Sequence, residues 1–120
     1  MKRIFFSLAL LLAVTTLIAQ TNMTAREAAV KIADRILAST TYEFKNTKTG
    51  ETYKSVKKLP LDMNVKVACK YNNWHYTNGV TNMALMELGD KLADKKYEKY
   101  VLKNMNFVFN EGNLEFFRKQ

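Results

Sequence analysis

The sequence has few of the residues that carry covalent and metal chemistry. Cys69 is the only cysteine and His75 the only histidine among 120 residues. A single cysteine excludes an internal disulfide framework, and with one histidine it also excludes a zinc cluster. A Ser-His-Asp triad would have to use His75, and no G-x-S-x-G turn presents a serine. The four glycines form neither a P-loop nor a G-x-G-x-x-G motif, which excludes the common nucleotide-binding loops.

Only one long apolar run is present, and it lies at the start of the chain. A basic pair precedes an apolar segment over residues 4–18, and Ala19 supplies a small residue for cleavage. This pattern is typical of a secretory signal peptide, and the run is too short for a stop-transfer helix. We therefore predict a signal peptide over 1–19 and a single domain over 20–120. The domain is expected to be exported, periplasmic or secreted, with no stable insertion in a membrane.

Basic residues outnumber acidic ones. The chain has 19 Lys and Arg against 11 Asp and Glu, a formal net charge of +8. Loss of Lys2 and Arg3 with the signal peptide lowers this charge to +6. Such a surface predicts an anionic partner. An anionic polysaccharide fits an export signal better than a nucleic acid does, so we expect no nucleic-acid partner.

Three segments have helical patterns. The first begins with a capping box formed by Thr24 and Glu27, and apolar residues then recur at three- and four-residue spacing. The second segment covers about 78–92 and the third about 95–109, with a short link between them. A short link predicts an antiparallel helical hairpin.

The other segments are less clearly patterned. Residues 41–59 fit either a solvated loop or a short hairpin, and residues 60–70 alternate weakly, as a strand or a helix would. Gly112 is expected to end the third helix in a left-handed conformation. Phe116 and Phe117 then begin a further apolar element. The sequence therefore predicts the first part of a larger helical protein; the alternative is a self-contained three-helix domain.

One aromatic cluster could carry binding chemistry. Residues 71–79 hold the only Trp, the only His, two Tyr and three Asn, directly before a predicted helix. Aromatic rings stack on sugars, amides bind hydroxyl groups, and a helix N-terminus favours a uronate carboxylate. The alternative is an aromatic plug with His75 as a structural residue. The helix carboxylates are spaced to pair with Lys91 and Lys95, so they are weak acid or base candidates.

Several segments resemble one enzyme family. Residues 32–38, 74–80, 84–88 and 96–100 are similar to the N-terminal region of glycoside hydrolase families 88 and 105, the unsaturated glucuronyl and rhamnogalacturonyl hydrolases. The most specific part is the W-x-Y-x-N-G turn before a helix. The resemblance covers roughly residues 25–117.

This resemblance implies an all-α fold of helical hairpins, the first part of an (α/α)6 toroid that is incomplete in this chain. Members of these families remove a Δ4,5-unsaturated uronic acid from the non-reducing end of oligosaccharides made by polysaccharide lyases. An aspartate protonates the C4=C5 vinyl ether and directs water onto C5, which is general acid and base catalysis. The implied partner is an anionic oligosaccharide with an unsaturated uronyl end, and neither a metal nor an organic cofactor is implied.

The resemblance also assigns residues. Trp74, Tyr76 and Asn78 are the implied substrate contacts. The family's aspartates are expected beyond Gln120, so no catalytic residue is assigned in this chain, which is expected to be inactive alone. Two alternatives remain open: a non-enzymatic carbohydrate-binding or interaction module on an α-hairpin scaffold, and a different (α/α)6 enzyme such as a lyase.

Overall fold

The computed structural model describes residues 23–57, 59 and 64–119. The predicted signal peptide over 1–19 lies outside the described residues. One compact unit ends at Ile32 and a second begins at Ala33, within the first helix. The elements, in chain order, are α1 (Ala25–Ser39), β1 (Phe44–Asn46), β2 (Thr52–Tyr53), β3 (Val65–Val67), α2 (Tyr76–Leu92), α3 (Lys95–Phe109) and α4 (Glu111–Arg118).

The predicted capping box begins α1. The Thr24 backbone N–H donates to Glu27 Oε2 over 2.8 Å, and the Glu27 N–H donates to Thr24 Oγ1 over 3.2 Å. Each side chain thus satisfies a backbone donor that the first turn of the helix leaves free. The Thr24 backbone N–H, and then the Thr24 hydroxyl, which donates to the same oxygen over 2.9 Å, hold the pKa of the Glu27 carboxyl below its ordinary value.

The expectation of an all-α fold, the first part of an (α/α)6 toroid, is wrong. The described residues form four helices and a small three-stranded antiparallel sheet. Strand β1 is central, in the order β2-β1-β3, with Phe44 opposite Tyr53 on one side and Val67 on the other. The segment for which a loop and a hairpin both stayed open therefore contains a hairpin, and the third strand comes from the segment after it.

Burial of one sheet face explains why these strands form. Phe44 is completely buried, and its ring stacks on Phe107 at a centroid distance of 5.1 Å. It also meets the edge of Phe116 at 4.9 Å. Alternation along β1 places Lys45 on the opposite, exposed face. The cluster around Phe44 consists of Phe44, Val56, Val65, Phe107, Val108, Phe116 and Phe117.

The helical hairpin is confirmed. Ala93 ends α2 in a left-handed conformation, with φ of 52°, and the Asp94 side chain accepts from the Lys96 N–H at the start of α3. The helices approach closely where Gly89 meets Tyr97, since a Cβ on Gly89 would lie 3.2 Å from the Cβ of Tyr97. No helix among the described residues is long and apolar enough to cross a membrane.

A second apolar cluster lies where the hairpin packs on the second half of α1. Tyr97 is completely buried there, and its hydroxyl donates to Asp34 Oδ1 over 2.9 Å. Lys96 Nζ lies 2.8 Å from the same oxygen. The buried members of the cluster are Ala33, Leu85, Tyr97, Tyr100 and Val101.

The end of α3 differs from its prediction. Gly112 does not end α3 but lies inside α4, and Asn110 caps α4 by accepting from the Gly112 N–H over 2.9 Å. Phe116 and Phe117 are buried rather than left as an open apolar element. Their contacts with Phe44 supply the partner that a purely helical interpretation lacked.

The Asp34 contacts predict an acid-sensitive part of the stability. Hydrogen bonds from Lys96 and then Tyr97 hold the pKa of Asp34 below its ordinary value. A carboxyl with a lowered folded-state pKa stabilises the fold fully above its unfolded pKa of about 4, and this stabilisation is lost as pH falls through the lowered value. Asp34→Asn should therefore melt below the unmodified chain at neutral pH, with a difference that shrinks in acid. A difference in melting temperature that is independent of pH would contradict this.

Candidate functional site

A groove lies at the start of α2. It has a volume of about 650 Å³ and is bounded by the segment before α2, by the first two turns of α2 and by one side of α3. The lining contains aromatic rings, amides and methionines. Its members are Tyr71, Asn72, Asn73, Trp74, His75, Tyr76, Asn78, Gly79, Val80, Asn82, Met83, Asn104, Met105 and Val108.

Two predicted substrate contacts present their rings to solvent. Trp74 is 57% exposed and Tyr76 is 83% exposed, although aromatic side chains of this size are usually largely buried. Trp74 meets the edge of the Phe109 ring at 5.6 Å, a contact that steadies the indole without covering it. The rings therefore do not form the aromatic plug that was the alternative interpretation.

His75 fixes how the chain enters α2. Its backbone is extended, with φ of −145° and ψ of 143°, and its carbonyl accepts from the Asn78 N–H over 2.9 Å. Its Nδ1 lies 2.9 Å from Thr77 Oγ1 and caps the Thr77 N–H at 3.4 Å. The only histidine is thus the N-cap of α2, and the helix begins two residues before the position predicted from the sequence. Trp74 and Tyr76 therefore flank this extended capping residue.

Asn78, the third predicted contact, has a structural task. Its side chain is 9% exposed, and its amide nitrogen donates to the Lys70 carbonyl over 2.8 Å and to the Asn73 carbonyl over 2.9 Å. Both donors of the amide are therefore occupied by backbone. Asn78 ties the aromatic segment to the first turn of α2, and any contact with a ligand would have to use its Oδ1.

Three amide oxygens of the groove residues lack a hydrogen-bond partner. They are the Oδ1 atoms of Asn72, Asn73 and Asn104, all three buried. Asn104 donates through its nitrogen to Asn82 Oδ1 over 3.1 Å, and the Asn72 nitrogen donates to the Thr41 carbonyl over 2.6 Å. A buried acceptor without a donor costs free energy, so these amides are an unsatisfied part of the groove wall. Because the three oxygens are closed to solvent, the side chains would have to turn before the hydroxyl or N–H donors of a ligand could reach them.

Sequence reasoning missed Asn82 and Asn104. Both occupy buried helix positions, and Asn104 lies three residues after Val101 and four before Val108, on the apolar face of α3. An amide at such a position was a signal that could have been read, because a polar residue on an apolar stripe needs a partner. The aromatic cluster alone pointed to the segment before α2 and not to α3.

Among the described residues, no Asp or Glu lines this groove. The helix carboxylates pair as predicted, with Lys91 Nζ 2.8 Å from Glu87 and Lys95 Nζ 2.8 Å from Glu98. Asp94 caps α3 instead. Across the described ranges, no three His, Cys, Asp or Glu side chains gather where they could hold a metal ion.

Cys69 is buried. Its sulfur accepts from the Tyr71 N–H over 3.4 Å and lies 3.9 Å from the Ser39 carbonyl. Burial also raises the pKa of Tyr42 to about 12, so its hydroxyl stays protonated at physiological pH. Neither group lines the groove, and neither is placed to act on a ligand there.

The groove can therefore stack and hydrogen-bond a polar ring, and its described side chains supply no acid or base of the kind that glycoside hydrolysis needs. The resemblance to the unsaturated uronyl hydrolases stays a prediction. Comparisons with protein-family models, with curated proteins and with solved structures find no match to this chain.

Proposed function

We propose that the groove binds the sugar end of an anionic oligosaccharide. We further propose that this groove is part of the substrate-binding site of a glycoside hydrolase that removes unsaturated uronic acid. One observation carries the proposal: exposed aromatic rings and asparagine side chains line one groove. A sugar ring offers an apolar face for Trp74 or Tyr76 and hydroxyl donors for the amides.

The charge of the ligand fits the position of the groove. The N-terminus of α2 lies in the lining, and the peptide dipoles of a helix place partial positive charge there. No carboxylate of the groove opposes this field. A uronic acid carries its carboxylate on the ring itself, so a ring stacked beside Trp74 could direct that group towards the helix end.

A second function has an observation in its favour. The absence of Asp and Glu from the groove lining fits a carbohydrate-binding module that has no catalytic role. The two functions share the binding step and differ in the chemistry that follows. Under both, the chain alone is expected to bind an unsaturated disaccharide without consuming its C4=C5 bond.

Trp74→Ala tests the binding step. The variant should bind an unsaturated uronyl disaccharide more weakly by about 1–3 kcal/mol, the range for loss of one aromatic stacking partner. Its melting temperature should change little, because the ring is more than half exposed. Isothermal titration and thermal melting measure the two quantities.

Leu102→Ala is the matched control for this test. Leu102 is also an exposed apolar residue, 54% accessible, and it does not line the groove. Its variant should bind the disaccharide as the unmodified chain does. If Trp74→Ala lowers the melting temperature and leaves the affinity of the folded molecules unchanged, the ring is structural and the proposal fails.

A further inference from the structure

The outer face of the sheet is a basic surface away from the groove lining. Lys45 of β1 lies directly opposite Lys66 of β3 in the antiparallel register, and both are exposed. Residues directly opposite have Cβ atoms about 5 Å apart, and like charges in such a pair destabilise the sheet. On the other side of β1, the uncharged Thr52 of β2 lies opposite Lys45.

Nearby carboxylates do not neutralise this pair. Neither ammonium group lies within 4.0 Å of a described carboxylate. Glu43 precedes Lys45 by two residues and shares its face by alternation, while Glu51 is engaged by the hydroxyls of Thr49 and Tyr53. Across the described residues of 41–70, six lysines stand against two glutamates. The sheet therefore keeps a positive surface at some cost to its own stability.

The chemistry of the face narrows the kind of partner. The aromatic and apolar residues of the strands, Phe44, Val65 and partly Tyr53, belong to the inner face. Among the described strand residues, the outer face thus has no ring on which a base could stack and no apolar side chain that could enter a lipid layer. Its charges are lysines, which attract anions as point charges without the bidentate geometry of arginine. A flat lysine surface suits an extended chain with repeated carboxylates.

We propose that the outer sheet face, centred on Lys45 and Lys66, binds an acidic polysaccharide chain through its carboxylates. This surface is separate from the groove, whose lining includes neither lysine. It would hold the polymer independently of any recognition of a sugar end by Trp74. The attraction is between exposed charges, so it weakens as salt rises.

The test measures binding of polygalacturonate to the full chain with and without the lysine pair. Lys45→Gln together with Lys66→Gln should weaken binding about 5- to 25-fold, since one lysine against an anionic surface contributes about fivefold. The control is Lys31→Gln together with Lys99→Gln, two exposed helix lysines without ion pairs in the described structure. It removes the same charge and should weaken binding less than about twofold by long-range attraction alone.

The outcomes separate this surface from the groove and from other partners. Removal of Lys45 and Lys66 should leave binding of the unsaturated disaccharide unchanged and should not lower the melting temperature, because a like-charge pair is lost. Equal weakening in both double variants would overturn the proposal, since net charge alone would then explain binding. Tighter binding to single-stranded DNA or to phosphatidylserine vesicles than to polygalacturonate would also overturn it.

Discussion

Replacing Phe44 with alanine is expected to lower the free energy of unfolding by about 3–5 kcal/mol, the usual cost of removing a buried phenylalanine ring. Phe44 has no exposed surface, and its ring contacts those of Phe107, Phe116 and Phe117. The cavity would open between the sheet and the two last helices. Such a loss is a large part of the stability of a small domain, so urea unfolding should begin at a much lower concentration.

Phe109→Ala is the control for this prediction. It also removes a phenylalanine ring, this one from α3. Phe109 is 51% exposed and touches only Trp74 among the described rings. Its variant should lose about 1 kcal/mol or less. Similar unfolding curves for the two variants would show that the sheet does not belong to the core, and would return the molecule to the purely helical architecture that the structure contradicts.

The helices were the most predictable part of the fold. Their apolar residues recur at helical spacing over several turns, and their starts carry side chains that cap backbone N–H groups, Glu27 with Thr24 in α1 and Asp94 in α3. These signals are local, so they predict the helices without knowledge of the tertiary fold. The start of α2 was misplaced because its cap is a histidine, which is not among the usual capping residues.

The sheet was hidden because its strands are two or three residues long. Alternation over so few positions is no clearer than chance. What decides the strands is a non-local fact: Phe44 of β1 and Val65 of β3 lie in one buried cluster with the rings of α3 and α4. The turn between β1 and β2 does have local sequence signals. Asn46 Oδ1 accepts from the Lys48 N–H, and Gly50 adopts φ of 79°.

The site was partly predictable for the same reason. The aromatic residues form one run in the sequence, so their composition pointed to a sugar site before their exposure was known. The asparagines of the groove are not contiguous in the sequence. Asn104 reaches the groove only because α3 packs beside α2. The structural role of Asn78 was likewise not predicted from the sequence, since the positions of its two backbone acceptors depend on the shape of the preceding segment.

Asn78→Ala is expected to lower the free energy of unfolding by about 1–3 kcal/mol, because two part-buried hydrogen bonds to backbone carbonyls are lost and each contributes about 0.5–1.5 kcal/mol. The carbonyls belong to Lys70 and Asn73, at the two ends of the turn that leads to Trp74. Asn106→Ala on the exposed side of α3 is the control and should change stability by about 0.5 kcal/mol at most.

Asn78→Asp sharpens the interpretation. Aspartate keeps the shape and the oxygen that could meet a sugar hydroxyl, but it lacks both donors and would face the carbonyls of Lys70 and Asn73 with a second acceptor. If Asn78 acts by holding the segment, both variants should melt early in a thermal scan. If it acts as a substrate contact alone, both variants should melt as the unmodified chain does. Asn78→Ala should then bind the disaccharide weakly and Asn78→Asp, which keeps the oxygen, should bind it better, and the structural role assigned here would be wrong.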